Sequence, residues 1–382
     1  MYLLLVFGTI CLLIIPFFKC NLKFYMFFVA AFFSFFGFLY DPIAQLDAVK
    51  IGSGVDLVRY FDELARFRFY GDSYNGYLSQ PLSRYYLMFF SNFDNDHLLP
   101  GVTTFLIYII NLTILYKIGK KNKFSDSIIA IGMITFIAFN DYFSTINTIR
   151  YPMAMTLFFL VLYWDLFCNI QFVKIFYIIP ILFHPGITVL LLSRVISQGR
   201  LKYSIIFGIG LVAILISGFY EIFDYLINFT DSLFGTSIFA SGLQTKTLSY
   251  TDGVVYQVPM LTLMVASFIT LILPFFTFIV MRINEEWVIK NRKFITMECF
   301  LVIMSIFFLV TNISTGNMTT RISTAVSFFA GVLIMPIEYS FIRYYNEQIN
   351  YRIFNLFFLG YIGILIVLRF GKQYVSWIAP GL

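Results

Sequence analysis

Ionised side chains are scarce in this 382-residue chain: Asp, Glu, Lys and Arg make up 12% of it, against 60% for the hydrophobic types. An ordinary soluble domain carries about 25% charged residues. With a mean hydropathy of +0.84, a soluble globular protein is excluded and the expected solvent is lipid. Cysteine is also sparse. Cys11, Cys20, Cys168 and Cys299 show no CxxC spacing and point neither to a disulfide framework nor to a zinc site. Internal repeats of transporter type, low-complexity tracts, a Gly-rich phosphate loop and a Walker pattern are missing too, so ATP-driven chemistry has no support. The N-terminal apolar stretch lacks a basic n-region and a small-residue cleavage site, and reads as a first transmembrane helix rather than a removable signal. The net charge of +6 is scattered between apolar runs instead of gathered on one face, which argues against a nucleic-acid partner.

What is abundant is apolar length. A helical crossing needs about 20 apolar residues, and marking the runs between charged or turn-rich breaks predicts twelve helices. Their cores are Tyr2 to Phe18, Phe24 to Tyr40, Leu99 to Leu115, Ile128 to Phe143, Pro152 to Leu166, Phe172 to Phe183, Ile187 to Ile196, Tyr203 to Phe219, Val258 to Met281, Phe294 to Thr311, Ile322 to Ile337 and Ile353 to Leu368. The expected fold is an all-α polytopic integral membrane protein, a single transmembrane domain over 1–382. Phe172 to Phe183 and Ile187 to Ile196 are too short to span alone and flank His184-Pro185-Gly186, so they form either a tilted short pair or a broken, re-entrant one.

The positive-inside rule orients the chain. Placing the links near 19–23, 117–126, 165–174, 194–202, 282–298 and 338–352 inside gathers sixteen of the 26 Lys and Arg there, together with Asp126, Asp165, Glu285, Glu286, Glu298, Glu338 and Glu347. Both termini then lie outside. So do two long segments, 41–98 and 220–257. Inner links are short and basic, which places the work of the protein on the outer face.

Within 41–98, Leu57, Val58, Phe61, Leu64 and Ala65 recur at helical spacing, while Asp56, Arg59, Glu63 and Arg66 follow at steps of three, four and three. The pattern predicts an amphipathic helix lying on the outer leaflet. Its charges form either a solvated stripe with i,i+3 and i,i+4 pairs, or a face that aims Asp56 or Asp62 at a substrate. Pro81 to Phe93, with Arg84, Tyr85 and Tyr86, is a second such segment, whose aromatics can anchor at the interface or, with Tyr70, Tyr74 and Tyr77, stack on sugar rings.

Three further groups sit at the rims of apolar runs, all on the same side: Arg150 in TINTIRYPMAM, His184 before Pro185-Gly186, and Arg321 after the polar turn Asn312 to Thr320. Charges in such places are costly and point to function. The plain alternatives are arginines that snorkel to headgroup phosphates and a histidine satisfied by helix-end backbone. Taken together, two guanidiniums can grip a diphosphate bidentately, and an imidazole can take a hydroxyl proton near neutral pH.

With these anchors, GVDLVRYFDE, TIRYPMAM, ILFHPGITVLLL and a late Arg321, the chain resembles the EpsG family of bacterial exopolysaccharide and O-antigen polymerases, broadly of Wzy type. The resemblance implies a multi-pass glycosyltransferase of GT-C-like architecture in the bacterial inner membrane, with its active site facing the periplasm. It would join undecaprenyl diphosphate-linked oligosaccharide repeats, without cofactor or metal. It would work among membrane lipid, beside a chain-length regulator and a flippase of the same pathway. Arg150 and Arg321 would bind the diphosphate, and His184 would act as general base or phosphate contact. Asp56 is the alternative base, with Arg59, Arg84 and Tyr85 as secondary substrate contacts. Rival readings are a flippase or transporter for the same lipid-linked sugars, another glycosyltransferase that uses polyprenyl-phosphate sugars, and an O-antigen ligase.

Overall fold

The computed structural model describes residues 2–18, 20–41, 56–71, 80–140, 142–198, 291–314 and 316–344, without the side chains of 2, 3, 17, 18, 308–323, 341, 343 and 344. The sequence-predicted helices Tyr203 to Phe219, Val258 to Met281 and Ile353 to Leu368, and the segment 220–257, lie outside the described residues. Among those described, every regular element is helical. We number the α-helices α1 (Tyr2–Ile14), α2 (Leu22–Leu39), α3 (Asp56–Tyr70), α4 (Pro81–Ser91), α5 (Leu98–Lys121), α6 (Asp126–Phe139), α7 (Tyr142–Asn147), α8 (Arg150–Leu162), α9 (Ile178–Phe183), α10 (Thr188–Ile196), α11 (Arg292–Ser314) and α12 (Gly316–Tyr344). Two of these, α2 and α5, are long and apolar enough by length and composition to cross a membrane.

Sequence decides where these helices start and how closely they pack. Asn21 caps α2, its side chain accepting from the Lys23 N–H at 3.0 Å. Ser125 caps α6 through the Ile128 N–H, satisfying a donor that a helix start leaves open. In α2 one face, with Tyr25, Val29, Ala30 and Phe33, is buried, while Phe24, Phe27 and Phe35 stay exposed. An exposed phenylalanine face suits lipid contact and would be costly in water. The buried face meets α5 at Gly37 and Gly101. A Cβ on Gly37 would lie 3.0 Å from the Pro100 carbonyl oxygen, so only glycine lets the backbones approach this closely. Ser34 Oγ then donates to the Gly101 carbonyl at 2.9 Å.

Helix α6 is buried on all sides from Ile128 to Phe139, as expected of a helix apolar all round at the centre of a bundle. It runs antiparallel to α12. Phe124 meets Tyr339, Gly132 meets Gly331 and Met335, and Phe136 meets Phe328. A Cβ on Gly331 would fall on the Gly132 carbonyl oxygen. The same order places the first turns of α12, including the backbone of Arg321, toward the end of the bundle where α6 finishes and α8 begins. We call this the first end. The opposite, second end holds Phe124, Phe294 and Tyr339, with Lys293 Nζ 5.7 Å from the Phe167 ring centroid.

The segment of uncertain topology becomes an up-and-back hairpin. After α8 the chain makes a π-turn, Tyr163–Phe167, then a 3-10 turn, Gln171–Tyr177, and α9. It turns at His184, passes through a second 3-10 turn, Pro185–Ile187, and returns as α10. His184 is extended (φ −152°, ψ 113°), the conformation favoured before a proline. Each leg rises about 20 Å at helical spacings, short of a hydrocarbon core of about 30 Å. The legs join the second end, where Arg194 reaches Asp165, to the first, where His184 meets Tyr151.

Two acids counted with the inner links are buried inside helices. Glu298 lies within α11 and Glu338 within α12, 3% and 0% exposed, and among the described residues their carboxylate oxygens accept no hydrogen bond. The predicted core Phe294 to Thr311 already contained Glu298, whereas Ile322 to Ile337 stopped short of Glu338, through which the helix continues.

Candidate functional site

At the first end, three segments distant in sequence converge on Arg150, the opening residue of α8. Its Nε donates to the Tyr60 hydroxyl at 3.0 Å and its Nη1 to Gln80 Oε1 at 2.6 Å. The guanidinium also lies 5.4 Å from the Tyr60 ring centroid, within cation–π range. Tyr60 belongs to α3 and Gln80 stands at the N-cap of α4. Arg150 is 8% exposed, so these helices close over it. These two acceptors, a phenol and a carboxamide, both come from the segment 41–98.

The next residue carries the connection to His184. The Tyr151 and His184 rings meet edge to face at 5.2 Å. His184 Nδ1 accepts the Gly186 N–H at 3.1 Å. A Cβ on Gly186 would stand 3.0 Å from the imidazole, so glycine leaves room for the ring to fold back over the turn. Helix α4 holds the apex from the other side: Ser83 Oγ donates to the Phe183 carbonyl, and Tyr86 packs on Phe183 at 5.3 Å. Tyr86 is anchored in turn by a 2.6 Å hydrogen bond with Thr103, and burial pushes its phenol well above the usual range. Arg150, Tyr151 and His184 thus share one end of the bundle, under α3 and α4.

The remaining sequence candidates lie as follows. Asp56 pairs with Arg59 at 2.9 Å on the partly exposed first turn of α3. On α4, Arg84 is half-buried and Tyr85 is 66% exposed. Arg321 lies in the second turn of α12, on the part of that helix directed to the first end. The expected stripe Asp56, Arg59, Glu63, Arg66 is corrected at Glu63, which is 1% exposed and shares the buried face with Leu57, Tyr60, Leu64 and Phe67. Tyr60 and Glu63 are three positions apart, which makes them neighbours on a helix face. Arg68 reaches across to Asp96 at 2.6 Å and to the carbonyls of Ser91 and Phe93, fastening α3 to the end of α4.

Sequence reasoning missed Tyr60 and Gln80, the residues that hold Arg150. Tyr60 lies within the predicted amphipathic helix but was placed on neither its apolar nor its charged face, and nothing in the sequence marks Gln80. It also missed the polar cluster at the second end. There Asp165, on the π-turn, accepts at one carboxylate oxygen from Arg194 Nε (3.0 Å), Arg194 Nη2 (2.7 Å) and the Tyr177 hydroxyl (2.9 Å). Both side chains of the ion pair are nearly buried, 5% and 7% exposed. The available signal was topological, since both charges fall in links assigned to the same side.

Comparisons with protein-family models, with curated proteins and with solved structures find no match to this chain.

Proposed function

We propose that this chain is a membrane glycosyltransferase that joins undecaprenyl diphosphate-linked oligosaccharide repeats into a polysaccharide on the outer face of the bacterial inner membrane. The observation that carries the reading is the meeting at one end of the bundle of Arg150 and His184, with the start of the Arg321 helix directed to the same end. Charge counting independently makes this the outer end. The finer architecture, twelve crossings in a GT-C-like arrangement with both termini outside, belongs to the same proposal.

The chemistry follows from the leaving group. An acceptor hydroxyl oxygen forms a bond to the anomeric carbon of the growing chain. The bond from that carbon to the lipid diphosphate breaks, its electron pair stays on the diphosphate, and the hydroxyl proton passes to a base. Diphosphate departs readily, so the protein has to align two lipid-linked substrates and stabilise the charge that develops on the leaving oxygen. Arg150 and Arg321 supply the positive charge. Arg59, Arg84 and Tyr85, on the helices that cover Arg150, line the approach of the sugars. Asp56 and His184 are the groups able to take the proton. Because Arg150 is covered by α3 and α4, productive binding includes displacement of that cover by substrate.

Purified protein given only lipid-linked repeats tests the reading. A ladder of chain lengths is expected, with the repeats consumed and undecaprenyl diphosphate released. Arg150→Ala should abolish the ladder while the protein remains in the membrane. Chains of normal length from that variant would overturn the assignment. Movement of the repeats across a vesicle membrane without any ladder would favour a flippase.

A further inference from the structure

We infer that His184 serves the site as a hydrogen-bond donor through Nε2–H, with its Nδ1 committed to the backbone, and that it contacts a phosphate oxygen rather than removing a proton. The inference rests on the diphosphate reading of the first end and decides between the two roles open to this residue. The Gly186 N–H donates to Nδ1 at 3.1 Å, so Nδ1 must present its lone pair. A neutral imidazole that accepts at one nitrogen carries its proton on the other. In this arrangement Nε2 is a donor and has no lone pair to offer a hydroxyl.

Two contacts hold the ring in this role, and a third fixes the backbone before it. The imidazole folds over Gly186, where a Cβ would meet it at 3.0 Å. Tyr151 packs edge-on against it at 5.2 Å. Ser83 fixes the preceding carbonyl, that of Phe183. Rotating the ring to expose Nδ1 would strip the Gly186 N–H of its acceptor at a part-buried turn, and an unsatisfied donor there is costly. A general base would need the opposite arrangement. The proton of the proposed glycosyl transfer therefore passes to another group, and Asp56 is the remaining candidate.

The chain has two histidines, so ring-¹⁵N labelling of the full protein in phosphatidylcholine bilayers gives two imidazole signal sets, separated with a His97→Gln variant. The expected result at neutral pH is a His184 ring with Nδ1 unprotonated and Nε2 protonated, whose Nε2 signal moves on titration with inorganic diphosphate. A protonated Nδ1, or an Nε2 signal indifferent to diphosphate, would overturn the inference. So would an equal shift produced by phosphatidylglycerol alone, which would make the partner a lipid headgroup.

Substitutions separate the two nitrogens. Asparagine places an acceptor near the Nδ1 position, whereas glutamine places a donor near Nε2. His184→Asn should melt at the higher temperature of the two. His184→Gln should bind inorganic diphosphate more tightly, by about tenfold for a hydrogen bond to a charged group. The reverse affinity order would overturn the inference. Absence of a polymer ladder from the wild-type protein would count against the polymerase reading alone, because the tautomer and the diphosphate shift are read without turnover.

Discussion

Helix α8 and the π-turn that follows it carry a buried polar cluster at each end, and the two are built on different terms. At the second end, a carboxylate and a guanidinium neutralise each other: three donors from Arg194 and Tyr177 crowd one oxygen of Asp165. At the first end, Nε and Nη1 of Arg150 go to a phenol and a carboxamide. The second arrangement is that of a clamp. It ties both legs of the 171–196 hairpin to the end of α8, and its charges are satisfied within the fold. At the first, a phenol and a carboxamide from the covering helices are among the groups that orient the guanidinium. The proposed function assigns anion binding to the first end, and the ion pair makes the second a tie between the hairpin and α8.

The sharpest way to break this contrast is to remove Asp165. In Asp165→Ala, Arg194 remains as a buried charge without its carboxylate, and such losses cost about 3–5 kcal/mol. Denaturant unfolding in detergent should show this loss, and replacing both partners by leucine should restore much of it. An Asp165→Ala protein as stable as the parent would show that the pair is no clamp.

Arg150→Ala should do the opposite, leaving the bundle folded while polymerisation falls by about a hundredfold or more, the loss typical when a donor to developing negative charge is removed. Arg150→Lys keeps the charge but not the fork, and should recover only part of the rate. The diagnostic quantity is the ratio of the two losses. If Arg150→Ala unfolds the protein as readily as Asp165→Ala, both ends are structural.

Gln80→Leu removes the acceptor of the 2.6 Å bond without touching the guanidinium. We expect about a tenfold fall in turnover, from one lost charge-assisted hydrogen bond. Tyr60→Phe keeps the ring under Arg150 and loses the hydroxyl alone, so its effect should be smallest, about threefold. Steady-state chain synthesis measures both. Equal effects from Asn111→Leu, whose side chain bonds to Thr156 deep in the bundle, would indicate general loosening rather than positioning of Arg150.

Helix positions were the legible part of the fold. In α2, α5, α6 and α8 the apolar runs announced themselves by length, because helices apolar on most faces are written as uninterrupted hydrophobicity. The apex at His184 was legible from the following proline. Less legible was the side of a helix that faces inward. Charge periodicity put Glu63 on the outer stripe of α3, yet the buried face includes it, because a covering helix packs against polar as well as apolar partners. Glu298, though inside the predicted core Phe294 to Thr311, and Glu338 were counted with the inner links for a related reason: a sequence shows a charge, while its burial depends on neighbours contributed by other helices. The Asp165–Arg194 pair joins residues 29 positions apart, and no local pattern encodes such a contact. At the candidate site, the rim charges Arg150 and His184 stood out because charge is rare in this chain. Tyr60 and Gln80, chemically ordinary, did not.

The most direct measurement is to crosslink a photoactivatable polyprenyl diphosphate to the full protein in bilayers and map the labelled peptides by mass spectrometry. Label on 56–70, 80–91, 150–151 and 183–186 is the result this account requires, with inorganic diphosphate competing and Arg150→Ala reducing the yield. Label concentrated on the π-turn Tyr163–Phe167 and on Arg194, at the opposite end of the bundle, would contradict it.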